Sequence, residues 1–131
     1  MPDSVVLTLP RGEPFVAVAR LVVGGLAARL ELPFDGMDDV QLAVESVLAD
    51  ACADGYAGEV TVALAIEPDR IVARIGPLEE QVAARAVDRD GGLDGVPLGR
   101  LLASLVDEIE DEPSDQGPWL ALHKHTPGRR P

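Results

Sequence analysis

Lysine and aromatic side chains are almost missing from this chain. Its 131 residues include one lysine, Lys124, one tryptophan, one tyrosine and two phenylalanines. With 11 basic residues against 23 acidic ones the formal net charge is −12. Nucleic-acid binding draws its affinity from neutralising phosphates with Lys and Arg, so nucleic acid and anionic membrane are both poor partners for such a surface. A basic protein partner is electrostatically favoured. Cys52 is the single cysteine, which rules out an intrachain disulfide. It lies in an apolar helical stretch, where a buried, inert thiol is the ordinary expectation. No run approaches the ~18 apolar residues a membrane span needs. The start, MPDSVVLTLP, has neither a basic region nor a long apolar run, so no signal peptide is expected and the cytoplasm is the expected compartment. Apolar residues make up 47% of the chain, enough for a folded domain. With aromatics so scarce, the core must be aliphatic. The length fits one domain spanning residues 1–131, with 126–131 as a flexible tail.

SVVLTL, residues 4–9, is short and β-branched and ends at Pro10, which predicts a first strand. In EPFVAVARLVVGGLAARL, residues 13–30, the residues Phe15, Val18, Leu21, Val22 and Leu26 recur at three- and four-residue spacing, which predicts an amphipathic helix. Gly24 and Gly25 are costly inside it; close approach of another backbone or a partner interface would explain them. ELPFDG, residues 31–36, reads as a loop. A second helix is expected from about residue 37 to 53, with Val40, Val44, Val47, Leu48 and Ala51 as its buried stripe, ended by DGYAG at 54–58. Residues 59–76, EVTVALAIEPDRIVARIG, are two β-rich runs around a Glu67-Pro68-Asp69 turn, a hairpin signal. Residues 77–97 read as a short helix followed by a glycine-rich loop. A third helix is expected over 98–108, a turn over 113–118 and a closing strand over WLALHKH, residues 119–125. Helices mixed with such strands predict an α+β two-layer sandwich: a mixed, mostly antiparallel sheet with helices on one face.

Chemistry is concentrated in LAVESVLADAC, residues 42–52. Glu45, Ser46 and Asp50 interrupt an otherwise apolar helix there. Residues four apart share a helix face, so Ser46 and Asp50 look the same way, whereas Glu45 is turned by ~100° from Ser46. The stretch IVARIGPLEE carries Arg74 and Gly76 at a strand end, and VPLGRLL carries Gly99 before the last helix.

The element order and residues 10–56, PRGEPFVAVARLVVGGLAARLELPFDGMDDVQLAVESVLADACADGY, resemble the first two helices of the anti-sigma-factor serine kinases, within the histidine-kinase-type ATPase superfamily. LGRLLASLVDEIEDEPSDQGPWLALHKH is similar to that family's last helix and closing strand. The resemblance implies a site. The family's second helix carries a Glu that acts as general base and, four residues later, an Asn that holds magnesium on ATP. Those positions are Ser46 and Asp50 here. Serine cannot take up a proton as a carboxylate does, while Asp50 retains oxygen ligands suited to magnesium. The family's adenine-binding Asp falls at Arg74, which has donors only, and the glycine two residues on is Gly76. Gly99 remains of a glycine-rich loop whose amides close on phosphate.

The resemblance therefore implies a fold that has kept protein binding and lost the kinase, with no cofactor in use, or ATP with magnesium if the pocket works. Its implied partners are a sigma factor and an anti-sigma antagonist, contacted through Arg20, the position of the family's exposed first-helix arginine. A homodimer is also implied. Two rivals stand beside this reading. One is an active serine kinase, in which Asp50 holds magnesium and Glu45 acts as base after a local helix shift. The other is a dimeric scaffold without a sigma partner. Blander expectations also exist for each feature. Glu45, Ser46 and Asp50 would be a solvated helix face. Arg20 would be a surface arginine paired with an acid. DRDGGLDG, residues 88–95, would be a flexible turn, because it lacks a calcium-loop pattern. His123 and His125 share one side of a strand without a third zinc ligand, so an exposed terminal strand is expected there. Ser4, Ser46, Ser104 and Ser114 lie in no nucleophile-elbow context.

Overall fold

A computed structural model describes residues 3–29, 36–53, 57–89 and 97–126. The loop expected at 31–36 (apart from residue 36), residues 54–56 of the helix end, residues 90–96 of the glycine-rich loop and the tail from 127 onward lie outside the described residues. The elements run β1 (Asp3–Pro10), α1 (Glu13–Arg29), α2 (Gly36–Ala51), β2 (Glu59–Ile66), β3 (Arg70–Gly76), α3 (Glu80–Val87), α4 (Leu98–Leu105), β4 (Glu108–Glu112) and β5 (Trp119–His125). The strands form one five-stranded sheet in the order β1-β2-β3-β5-β4, with every pairing antiparallel. The expected α+β sandwich is what the chain forms.

Alternation along the strands sends successive side chains to opposite sheet faces. Leu9, Val60, Val62, Leu64, Ile66, Ile71, Ala73, Ile75, Leu120 and Leu122 face the helices and join one aliphatic cluster with Val40, Val44, Val47, Leu48, Val82 and Leu102. Many of these are completely buried, and each such Val or Leu contributes ~1.5–3 kcal/mol over the exposed state. The stripe expected on α2 is the stripe buried. The β2–β3 hairpin closes where expected, with Glu67 N–H donating to the Arg70 carbonyl at 2.8 Å.

Several expectations need correction, in two places. In α1 the buried residues are Ala19, Val23 and Leu26, whereas Val18 is 40% and Leu21 75% exposed. The helix is apolar on nearly every side, its charges being Glu13, Arg20 and Arg29, so spacing could not choose the face. Gly24 faces the Gln41 side chain, whose amide donates to the Arg20 carbonyl at 3.1 Å. The close neighbour there is a side chain, not a backbone.

The second correction concerns β4. The helix expected over 98–108 stops at Leu105, and EIEDE becomes an edge strand beside β5. Only Ile109 is apolar in it. Its three glutamates lie on the sheet face away from the described helices and meet basic side chains there: Glu110 lies 2.5 Å from the His123 ring, Glu108 3.4 Å from His125 and Glu112 3.3 Å from Arg74. A short, charged edge also discourages pairing with another chain. His123 is consequently buried, against the expectation of an exposed strand, while His125 is exposed.

Candidate functional site

The second half of α2 presents the candidate residues. The helix forms because residues 37–51 contain no glycine or proline and Asp38 and Asp39 occupy its first turn, where acids complement the helix dipole. Its apolar stripe fixes which way the polar residues point. Ser46 Oγ donates to the Leu42 carbonyl one turn back at 2.7 Å. Asp50 Oδ2 accepts from Arg85 Nη2 at 2.9 Å and from Arg85 Nε at 3.0 Å. Glu45, turned away as its register requires, lies 3.8 Å from Arg20 Nε on α1. Arg20 itself is 61% exposed, and a contact this long and wet is worth ~0–1 kcal/mol.

Arg85 belongs to α3, which buries Val82, Ala83 and Ala86 under the helical layer. The C-terminal end of α3 reaches the first turn of α4. A Cβ at Gly99 would collide with the Asp88 carbonyl and would stand 2.9 Å from the Arg85 carbonyl oxygen. Gly99 is therefore required by a close approach of backbone to backbone. Ser46, Asp50 and Gly99 are brought to one region with α3 between them, and Glu45 stands beside it.

Arg74 and Gly76 do not join the group. Arg74 points to the sheet face away from the described helices, where it pairs with Glu112, while its neighbours Ala73 and Ile75 face the core. Gly76 lies beneath the Trp119 indole. A Cβ there would stand 2.5 Å from the Trp119 Cγ, so the glycine makes room for an aromatic ring on the neighbouring strand.

One residue that holds this region escaped the sequence reading. Arg11, between Pro10 and Gly12, looks like an ordinary turn arginine. Its side chain is 5% exposed. Nη1 donates to the Ala51 carbonyl at 2.8 Å and to Glu79 at 2.5 Å, and Nη2 donates to the Pro77 carbonyl at 2.6 Å. It ties the end of α2 to the segment leading into α3. The available signal was its place right after a strand, opposite the C-terminus of a helix whose last carbonyls need donors. Cys52 is half-buried. Among the described residues no group of three or more His, Cys, Asp or Glu is placed to hold a metal ion. No helix there is long and apolar enough to cross a membrane.

Comparison with known proteins gives several matches of one kind. Serine-protein kinase RsbW of Bacillus velezensis is 28% identical over 147 aligned positions, covering 98% of this chain and 89% of that protein. RsbW of Halalkalibacterium halodurans is 39% identical over 51 positions, covering 39% of this chain and 29% of that protein. RsbW of Listeria monocytogenes is 27% identical over 79 positions, 57% of this chain and 50% of that protein. No family model matches the chain. The chain is similar to the RsbW serine-protein kinases. The likeness seen in its helices is thus shared with curated proteins, one of them along almost the whole chain.

As placed, the residues do not match what that relationship implies for ATP and magnesium. Ser46 stands where the base is expected and spends its proton on its own helix. Arg74 stands where the adenine acceptor is expected and lies on the far side of the sheet. Gly99 faces peptide carbonyls, which repel phosphate oxygens. Asp50 alone has suitable chemistry, and a guanidinium already covers one of its oxygens.

Proposed function

We propose that this protein is an anti-sigma-factor-like regulator. It binds a sigma factor, an anti-sigma antagonist, or both in exchange, and has lost the ATP chemistry of its relatives. The observation that carries the binding half is the outer face of α1. Pro14, Ala17, Val18, Leu21, Gly25 and Ala28 are all exposed along it, with Arg20 beside them. Apolar side chains on a solvent-facing helix are the ordinary mark of a partner surface. Arginine at its edge supplies geometry-specific polar contacts. A partner of basic character would be drawn by the net charge of −12. The cytoplasm is the compartment in which such partners meet.

The binding half is tested by co-purification from the native cells. A sigma factor or a small antagonist should come down with the protein, and Arg20→Ala should weaken that capture about tenfold or more, the loss typical of a well-placed interface arginine. Recovery of no such partner would favour the scaffold reading. The catalytic half is tested by calorimetric titration with ATP and magnesium, with no heat expected up to millimolar nucleotide. Similarity to serine-protein kinases favours the second reading, an ATP-dependent serine kinase. Micromolar binding that Asp50→Ala abolishes would establish that reading instead.

A further inference from the structure

Asp50 and α3 carry an inference about how the helical layer is held. We infer that Arg85 is a built-in counter-cation for Asp50, so that α2, α3 and α4 keep their arrangement without metal or nucleotide. The inference rests on the ATP-free half of the reading above. Three observations converge on it. Both Nε and Nη2 of Arg85 reach the same Asp50 oxygen, at 3.0 and 2.9 Å. The carbonyls of Arg85 and Asp88 stand against Gly99 in the first turn of α4. Just beyond, Arg100 Nε on α4 donates to the Arg89 carbonyl at 3.4 Å.

Physically, a carboxylate that points into a polar layer needs a positive partner. A soluble cation must be recruited at each opening and pays for lost freedom when bound, whereas a tethered guanidinium is always at hand. Its fork contacts both fix the orientation of α3 on α2. Once α3 is docked, the carbonyls of Arg85 and Asp88 stand against the Cα of Gly99 in the first turn of α4, and their partial negative charge disfavours an anion on that side. One ion pair therefore neutralises Asp50 and, through α3, sets carbonyls rather than donors against Gly99. The regulator so built has a helical layer that does not change with nucleotide.

Amide hydrogen exchange of the full chain tests this. Asp50→Asn and Arg85→Ala should each raise exchange in α3, residues 80–87, by about fivefold, the factor expected for a half-exposed pair worth about 1 kcal/mol. The swap Asp50→Arg with Arg85→Asp should restore slow exchange, which a change of packing alone would not do. Millimolar magnesium-ATP should leave exchange in the wild-type α3 unchanged. Unchanged exchange in both single variants overturns the inference, and so does protection of wild-type α3 by magnesium-ATP. Partner capture is scored separately in the same variants. Loss of every partner from the wild-type protein would sink the binding half of the proposed function and leave the exchange result standing.

Discussion

Replacing Arg11 by methionine should destabilise the fold by about 2–4 kcal/mol, the range for removing one member of a buried, charge-assisted hydrogen-bond set. Methionine keeps most of the volume, so the loss is polar. The carbonyls of Ala51 and Pro77 would lose a donor, and Glu79 would lose its partner. Two of these groups sit where α2 ends and where the chain enters α3, so the loss should be felt across the helical layer. Glu79 is 28% exposed and water can replace part of its bond, which holds the estimate below the cost of stranding a fully buried charge. Arg11 Nε is itself buried without a partner, and methionine relieves that, which trims the cost further. Thermal unfolding followed by circular dichroism should show a midpoint lower by about 8–16 °C, given roughly 4 °C per kcal/mol at this chain length. Glu79→Gln should cost clearly less, because both carbonyls keep their donor. A midpoint unchanged in Arg11→Met would mean that the clamp contributes nothing net.

The fold was legible wherever burial and periodicity speak together. The α2 stripe could be read because its buried residues recur with the helical period, and the hairpin over 59–76 because two β-rich runs flank a Glu67-Pro68-Asp69 turn. The face of α1 could not be read, because Val18, Leu21 and Val23 are equally apolar and only packing against α2 selects among them. Strand β4 was hidden for the opposite reason. EIEDE has almost no apolar signal, and its pairing depends on His123, His125 and Arg74, which are remote in sequence. The same blindness applies to the candidate site. That Ser46 and Asp50 share a face follows from helix geometry. That Asp50 meets Arg85 depends on how α3 docks, and 35 residues separate them. Arg74 illustrates the limit of position-by-position comparison. Its place in the strand was read correctly, yet the direction of its side chain was fixed by alternation within a sheet whose register the sequence did not reveal.

Gly99→Ala separates the two meanings a glycine can have at the start of α4. In a phosphate-binding loop glycine lets backbone amides close on an anion, and alanine would then weaken nucleotide binding while leaving stability nearly unchanged. Intrinsic preference even favours alanine inside a helix, by ~1 kcal/mol. Here the opposite sign should win. The added methyl group would meet the Asp88 carbonyl and stand 2.9 Å from the Arg85 carbonyl oxygen. Both are backbone atoms and cannot rotate aside. Relief requires moving the end of α3 or tilting α4, whose Leu102 is wholly buried. Overpacking of this kind costs ~1–3 kcal/mol or more, and a contact with two fixed carbonyls belongs at the upper end. After the propensity gain, a net loss of about 2 kcal/mol is expected, lowering the unfolding midpoint by about 8 °C. Hydrogen exchange should rise in α3 and α4 together, because the clash sits between them. A variant with wild-type stability and reduced affinity for ATP would instead assign Gly99 to phosphate, and with it return the region between α2 and α4 to nucleotide binding.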